Sequence, residues 1–152
     1  MPEQLVYNTA YSALDADDSE GDATRRMLAD RVSDLPVVDA DGRLIGLFKL
    51  DRLFASLLPK AALLGYGMPD LAFVSDSLAE LRERMRGVED ARLREFVVKP
   101  DHVVHPDTSP LEIVLLLYKG ANNIQVVTRD TGQLVGMAAA RDVLAALHGA
   151  GD

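Results

Sequence analysis

Apolar residues along this chain fall into short runs and helical stripes, and one succession of them is written twice. Pro36-Val37-Val38 is a buried-strand signal, Asp39-Ala40-Asp41-Gly42 a turn, and Leu44-Ile45-Gly46-Leu47-Phe48 a returning strand. Leu50, Leu53, Phe54, Leu57 and Leu58 then recur at helical spacing until Pro59 stops the run. Further along, Gln125 to Thr128, the turn Arg129-Asp130-Thr131-Gly132, the strand Gln133 to Ala138 and a helix from about Ala140 to His148 repeat the order. With Thr131 as the one inserted residue, Leu35–Leu57 and Ile124–Leu147 align at a period of 89 residues. Val37/Val126, Val38/Val127, Asp41/Asp130, Gly42/Gly132, Leu44/Leu134, Gly46/Gly136, Ala55/Ala145 and Leu57/Leu147 are identical. A duplicated unit normally buries its apolar faces against its copy and leaves a cleft at the seam, where a small ligand is expected.

A helix precedes each hairpin. The second has Ser109 as N-cap, Pro110 at the first helical position and Glu112 three residues after the cap, and it stops near Gly120-Ala121-Asn122-Asn123. Its counterpart starts near Ser19, with Asp22 at the third helical position, and carries Ala23, Met27 and Leu28 toward Val32. Lead-in strands are expected at Leu5 to Tyr7 and at Val103-Val104. The predicted fold is therefore α+β or α/β: two β-α-β-β-α units, residues 1–59 and 94–149, separated by a connector over 60–93. Within the connector, Leu78, Leu81 and Met85 share one face of an amphipathic helix, and Gly65-Tyr66-Gly67-Met68-Pro69 reads as a loop.

Composition narrows the class. A chain of 152 residues with 48% hydrophobic, 26% charged and 5% aromatic residues describes an ordinary globular protein with an aliphatic core. The absence of cysteine excludes disulfides, thiolate metal sites and cysteine nucleophiles. No apolar run approaches the roughly 20 residues of a membrane helix, and MPEQLVYNTA lacks the features of a signal peptide, so a cytoplasmic protein off the membrane is expected. A net charge of −8 argues against nucleic acid as the main partner.

The strand PVVD, the Asp-Gly turn, the h-h-G-h-h strand and the helix opening with x-x-Asp resemble the cystathionine-β-synthase (CBS) domain, and two in tandem resemble the pair called a Bateman module. The resemblance implies a regulatory, non-catalytic module whose units pack through their sheets about a pseudo-two-fold axis. It further implies a homodimer and an adenosine ligand such as AMP, ADP, ATP or S-adenosylmethionine between the units. Ligand-binding members carry a Ser or Thr and, three residues later, an Asp at the second strand's end and the helix start. Those positions are Lys49 and Arg52 in the first unit, and Ala139 and Asp142 in the second. Asp142 is thus the expected ribose ligand, with Asn123, Ile124 and Val135 as walls and Arg141 as a phosphate contact. Lys49 and Arg52 at a helix start would favour an anion such as polyphosphate if both face the cleft, and otherwise are solvated surface cations. The alternative is a ligand-independent dimerisation or scaffold module with a degenerate site, its connector helix facing a partner.

Other signals are weaker. Asp15, Asp17, Asp18, Glu20 and Asp22 fail the EF-hand spacing, since Glu20 falls where the loop needs glycine and Arg26 where it needs an acid. His102 and His105 would lie on opposite faces of a strand, so no metal site is expected. Gly-x-Ser-x-Gly, Walker-type, Gly-x-Gly-x-x-Gly and His-Glu-x-x-His patterns are missing, and no enzyme activity is expected.

Overall fold

The computed structural model describes residues 7–58 and 77–149. Its elements run β1 (Leu14–Asp15), α1 (Glu20–Asp30), β2 (Asp34–Val38), β3 (Leu44–Lys49), α2 (Leu50–Ala55), α3 (Leu78–Arg86), a 3-10 turn (Leu93–Phe96), β4 (Val103–Val104), α4 (Pro110–Tyr118), β5 (Asn123–Val127), β6 (Leu134–Ala139) and α5 (Ala140–His148). The chain is α+β, built from two copies of one small three-stranded sheet. β1 pairs parallel with β2, and β2 antiparallel with β3; β4, β5 and β6 repeat this. Even the register shift recurs, between Val37 and Val38 in one sheet and between Val126 and Val127 in the other.

Local chemistry accounts for these elements. Ser19 Oγ accepts from the Asp22 amide at 3.1 Å and Ser109 Oγ from the Glu112 amide at 3.2 Å, each satisfying an orphan helix donor. Pro110 fits α4's first turn, where its missing N–H costs nothing. In the hairpins, Gly42 and Gly132 take φ of 82° and 72°, a conformation that side-chain-bearing residues resist, and Thr131 is absorbed in the second turn. Leu14, Met27, Val37, Phe48, Leu53 and Leu93 form one core; Val104, Ile113, Ile124, Val126, Ala138 and Val143 form the other. Each large side chain so buried contributes about 1.5–3 kcal/mol.

The first lead-in strand differs from the expectation. Leu5 and Val6 lie outside the described residues, Tyr7 is in no strand, and the strand beside β2 is Leu14–Asp15. The segment just before it goes elsewhere: Asn8 exchanges both backbone hydrogen bonds with Met137 of β6, at 2.8 and 2.9 Å. Val98, ahead of the second unit, does the same with Leu47 of β3, also at 2.8 and 2.9 Å. Each unit's approach segment thus extends the other unit's sheet, which the repeat alone did not reveal.

The connector helix α3 has no buried residue; Leu81 and Met85 are half-covered and Leu78 is exposed. Met85 and Val88 pack on the first core, and residues 89–94 bond to the first unit through Gly21 N to Glu89 O, Glu20 N to Ala91 O, Leu93 N to Asp18 O and Arg94 N to Ala16 O. Of the apolar residues of α1, Ala23 and Met27 are buried and Leu28 is exposed. The loop at Gly65–Pro69 lies outside the described residues.

Candidate functional site

The hairpin tips of the two units meet on a pseudo-two-fold axis. Leu44 N donates to Gly132 O and Leu134 N to Gly42 O, both at 3.0 Å. At the other ends of β2 and β5, Asn123 Nδ2 donates to Asp34 Oδ1 at 3.0 Å, joining two residues that are equivalent in the repeat. This bond separates two clefts that share Asp34 and Asn123 as walls.

The first cleft encloses about 210 Å³ and is lined by Leu47 and Lys49 of the first unit and by Asp101, His102, Gln125 and the α4–β5 turn from Lys119 of the second. It adjoins a groove of about 300 Å³ lined by Lys49, Asp51, Arg52, Val98, Lys99 and Asp101. The mate cleft, about 370 Å³, is lined by Tyr11, Ser12, Asp30, Val32, Leu35, Pro36 and Met137. Under the repeat Lys119 corresponds to Asp30, Gln125 to Pro36, Leu47 to Met137 and Asp101 to Ser12. One backbone frame therefore carries two chemistries.

Gln125 forms the floor of the first cleft. It is only 1% exposed, and its Nε2 donates to Asn123 O at 3.1 Å, while its side-chain oxygen accepts from no described residue. A buried amide normally satisfies both ends. Gln125 lines a concavity that a donor group of a ligand can enter. In the mate cleft Tyr11 is already committed: its hydroxyl donates to Leu134 O at 2.7 Å, and burial raises its pKa.

The sequence-predicted site residues separate into two groups. Asn123 borders both clefts; Lys49 stands where the first cleft meets the groove, and Arg52 lines the groove. Ile124 is wholly buried in the second core, and Val135 packs against that core. Asp142, half-exposed in the first turn of α5, accepts weakly from Ala139 N at 3.4 Å and so caps its own helix; alanine offers no acceptor in return. Arg141 is exposed, and neither it, Ala139 nor Asp142 lines the three cavities above.

Asp34, Lys99, Asp101, His102, Lys119 and Gln125 belong to the first cleft or its groove without having been singled out. Gln125 had a legible signal, a polar residue inside the apolar run NIQVV. The acidic cluster is occupied otherwise: Asp17 pairs with Arg94 at 2.6 Å and Arg92 at 3.4 Å, and Asp22 pairs with Arg25, which lowers the Asp22 pKa. Among the described residues no group of three or more His, Asp or Glu is placed to hold a metal, and His105 Nδ1 contacts Val127 O at 3.0 Å. No described helix is long and apolar enough to cross a membrane.

Two βαββα units, exchanging approach segments around a pseudo-two-fold axis with a cleft on each side, define a tandem-repeat module. The sequence model of the CBS domain matches residues 6–58 and 93–149, and the chain belongs to that family. Tandem CBS modules are regulatory. No curated protein matches significantly. Among solved structures, a CBS domain-containing protein of unknown function from Kribbella flavida superposes with a TM-score of 0.73 at 18% identity, covering 97% of this chain and 99% of that one. CBSX2 in complex with AMP gives 0.66 at 19% identity, covering 97% and 96%. CbpB in complex with c-di-AMP gives 0.67 at 10% identity, covering 91% and 77%.

Proposed function

We propose that the chain is a non-catalytic sensor that binds an adenine nucleotide between its two units and passes its occupancy to a regulated protein. The observation carrying this reading is the first cleft, where a buried amide whose oxygen has no partner among the described residues shares the lining with Lys49 and Lys119. AMP and c-di-AMP in the two structural neighbours support the ligand class. Such a ligand acts only through a difference in affinity between two arrangements of the units. Both approach segments and the Asp34–Asn123 bond cross between units, so a change in packing at the cleft is felt in both sheets.

A homodimer fits the same reading. Leu111, Leu115 and Tyr118 of α4 and Leu144 and Leu147 of α5 are exposed, an apolar set that a second copy would cover. This face also supports the scaffold alternative, in which assembly is the whole function. A thermal-shift series with AMP, ADP, ATP, S-adenosylmethionine and c-di-AMP separates the two. A ligand at 100 times its dissociation constant stabilises the fold by about 2.7 kcal/mol, a shift of several degrees. Stabilisation by an adenine compound supports the sensor, and a flat melting point throughout supports the scaffold.

A further inference from the structure

We propose that the first cleft recognises its ligand by a run of phosphates and makes no use of a ribose diol. The proposal rests on the sensor reading and specifies which part of the nucleotide is read.

Four cations border the cleft and its groove: Lys49 at their junction, Lys119 on the α4–β5 side, and Arg52 and Lys99 along the groove. None has an ion pair or side-chain hydrogen bond among the described residues, whereas Arg25, Arg86, Arg92, Arg94 and Arg129 all do. The same cleft and groove carry Asp34, Asp51 and Asp101, so four cations face three carboxylates, a small positive excess in a chain of net charge −8. Asp34 accepts from Asn123 and Asp51 from the Arg52 amide at 2.7 Å. Asp101 is the acid left without a partner among the described residues, and it opposes an anion.

Donor and acceptor chemistry points the same way. The paired O–H groups of a diol are recognised by a carboxylate that accepts from both, and lysine and arginine only donate. Lys49 and Arg52 therefore offer the hydroxyl protons no acceptor, while phosphate oxygens, acceptors throughout, suit all four cations. The mate cleft is the larger, about 370 Å³ against about 210 Å³, but carries Asp30 and Asp34 and no cation, so charge and not volume selects the cleft.

Isothermal titration of the full chain with ATP, 2′,3′-dideoxy-ATP, adenosine and inorganic tripolyphosphate tests this at low and high salt. ATP and its dideoxy analogue are expected to bind within about twofold of each other, tripolyphosphate to compete with both, and adenosine to bind at least tenfold more weakly. Affinity for ATP falls as salt screens the charges. The Lys49→Gln/Lys119→Gln double variant, with an unchanged melting point, loses at least tenfold in affinity for tripolyphosphate, and Asp101→Asn gains. Adenosine binding as tightly as ATP, with loss on removing the hydroxyls, overturns the phosphate inference and leaves the sensor reading intact. Unchanged tripolyphosphate affinity in the double variant overturns the location. Failure of all four compounds to bind overturns the sensor reading and this inference with it.

Discussion

The two clefts stand on the same backbone and differ in charge. Where the first has Lys119, the mate has Asp30; the Arg52 of the groove corresponds to Asp142, and the buried Gln125 to Pro36. The sheets, their register shifts and the hairpin glycines have meanwhile stayed alike. Packing and backbone geometry restrain a duplicated fold at its core and turns, whereas side chains that border a cleft have open space on one side and are freer to diverge. Divergence in this molecule has placed cations in one cleft and only acids among the charged groups of the other, so a paired fold does not imply a pair of equivalent sites.

The largest expected effect probes what the units share, the close approach of each exchanged segment to a glycine. A Cβ at Gly46 would lie 2.1 Å from Val97 Cγ1 and 2.5 Å from Val98 O, and Val98 is held by two backbone bonds to Leu47. At Gly136 the conflict is mainly with the Tyr7 ring, at 2.4 Å, and the nearest backbone atom, Asn8 O, is 3.1 Å away. A ring can turn aside more easily than a paired backbone. Urea denaturation should show Gly46→Ala destabilising by about 3 kcal/mol and Gly136→Ala by about 1 kcal/mol. Equal losses would show that the two crossings are equally rigid.

Lys119→Asp makes the clefts alike in charge at that position. It is expected to weaken ATP binding by about tenfold, roughly 1.4 kcal/mol, without altering the melting point. Calorimetric titration beside the parent reads this directly.

A smaller gain is available where the units end their first helix. Arg31 sits at φ 56° in the left-handed region, where the second unit has Gly120 at φ 109°. Its exposed side chain makes no hydrogen bond or ion pair among the described residues, so Arg31→Gly removes strain with little loss and should stabilise by about 1 kcal/mol in the same denaturation assay.

The last effect is confined to the first unit. Glu20 is fully buried beside Thr24, with its Oε2 unpartnered, and burial raises its pKa above 4.5 despite the Thr24 bond; Glu89 adds to the rise and Arg25 opposes it. The folded state thus holds the proton more tightly than the unfolded chain. The associated stability is present below the unfolded pKa and is lost as pH rises through the elevated folded value. Glu20→Gln keeps a neutral side chain at every pH, so its melting point should exceed the parent's near pH 7.5 by a margin that shrinks toward pH 4. A margin independent of pH would remove Glu20 as the cause.

Much of the fold was legible because its signals are local. Ser19 and Ser109 announce helix starts, Gly42 and Gly132 announce turns, and the apolar periods place the strands and most of the core. The exchanged approach segments were not legible, since residues 7–13 carry no apolar alternation and their pairing is decided by the partner sheet. Helical spacing put Met27 and Leu28 in one helix without showing that Met27 meets the core and Leu28 does not. At the site, Lys49, Arg52 and Asn123 came from the family pattern. Lys119 and Asp101 lie outside that pattern and reach the cleft only through the pairing of the units, and Ile124, one residue from Gln125, points to the opposite face of β5, as strand alternation requires.

The inequivalence of the two clefts is tested most directly by following backbone amide resonances of the isotope-labelled chain while ATP is added. Shifts largest at residues 47–52, 98–102 and 119–125, saturating at one ATP per chain, are the expected result. Equal shifts around Tyr11, Ser12 and Val32, or saturation at two per chain, would contradict it.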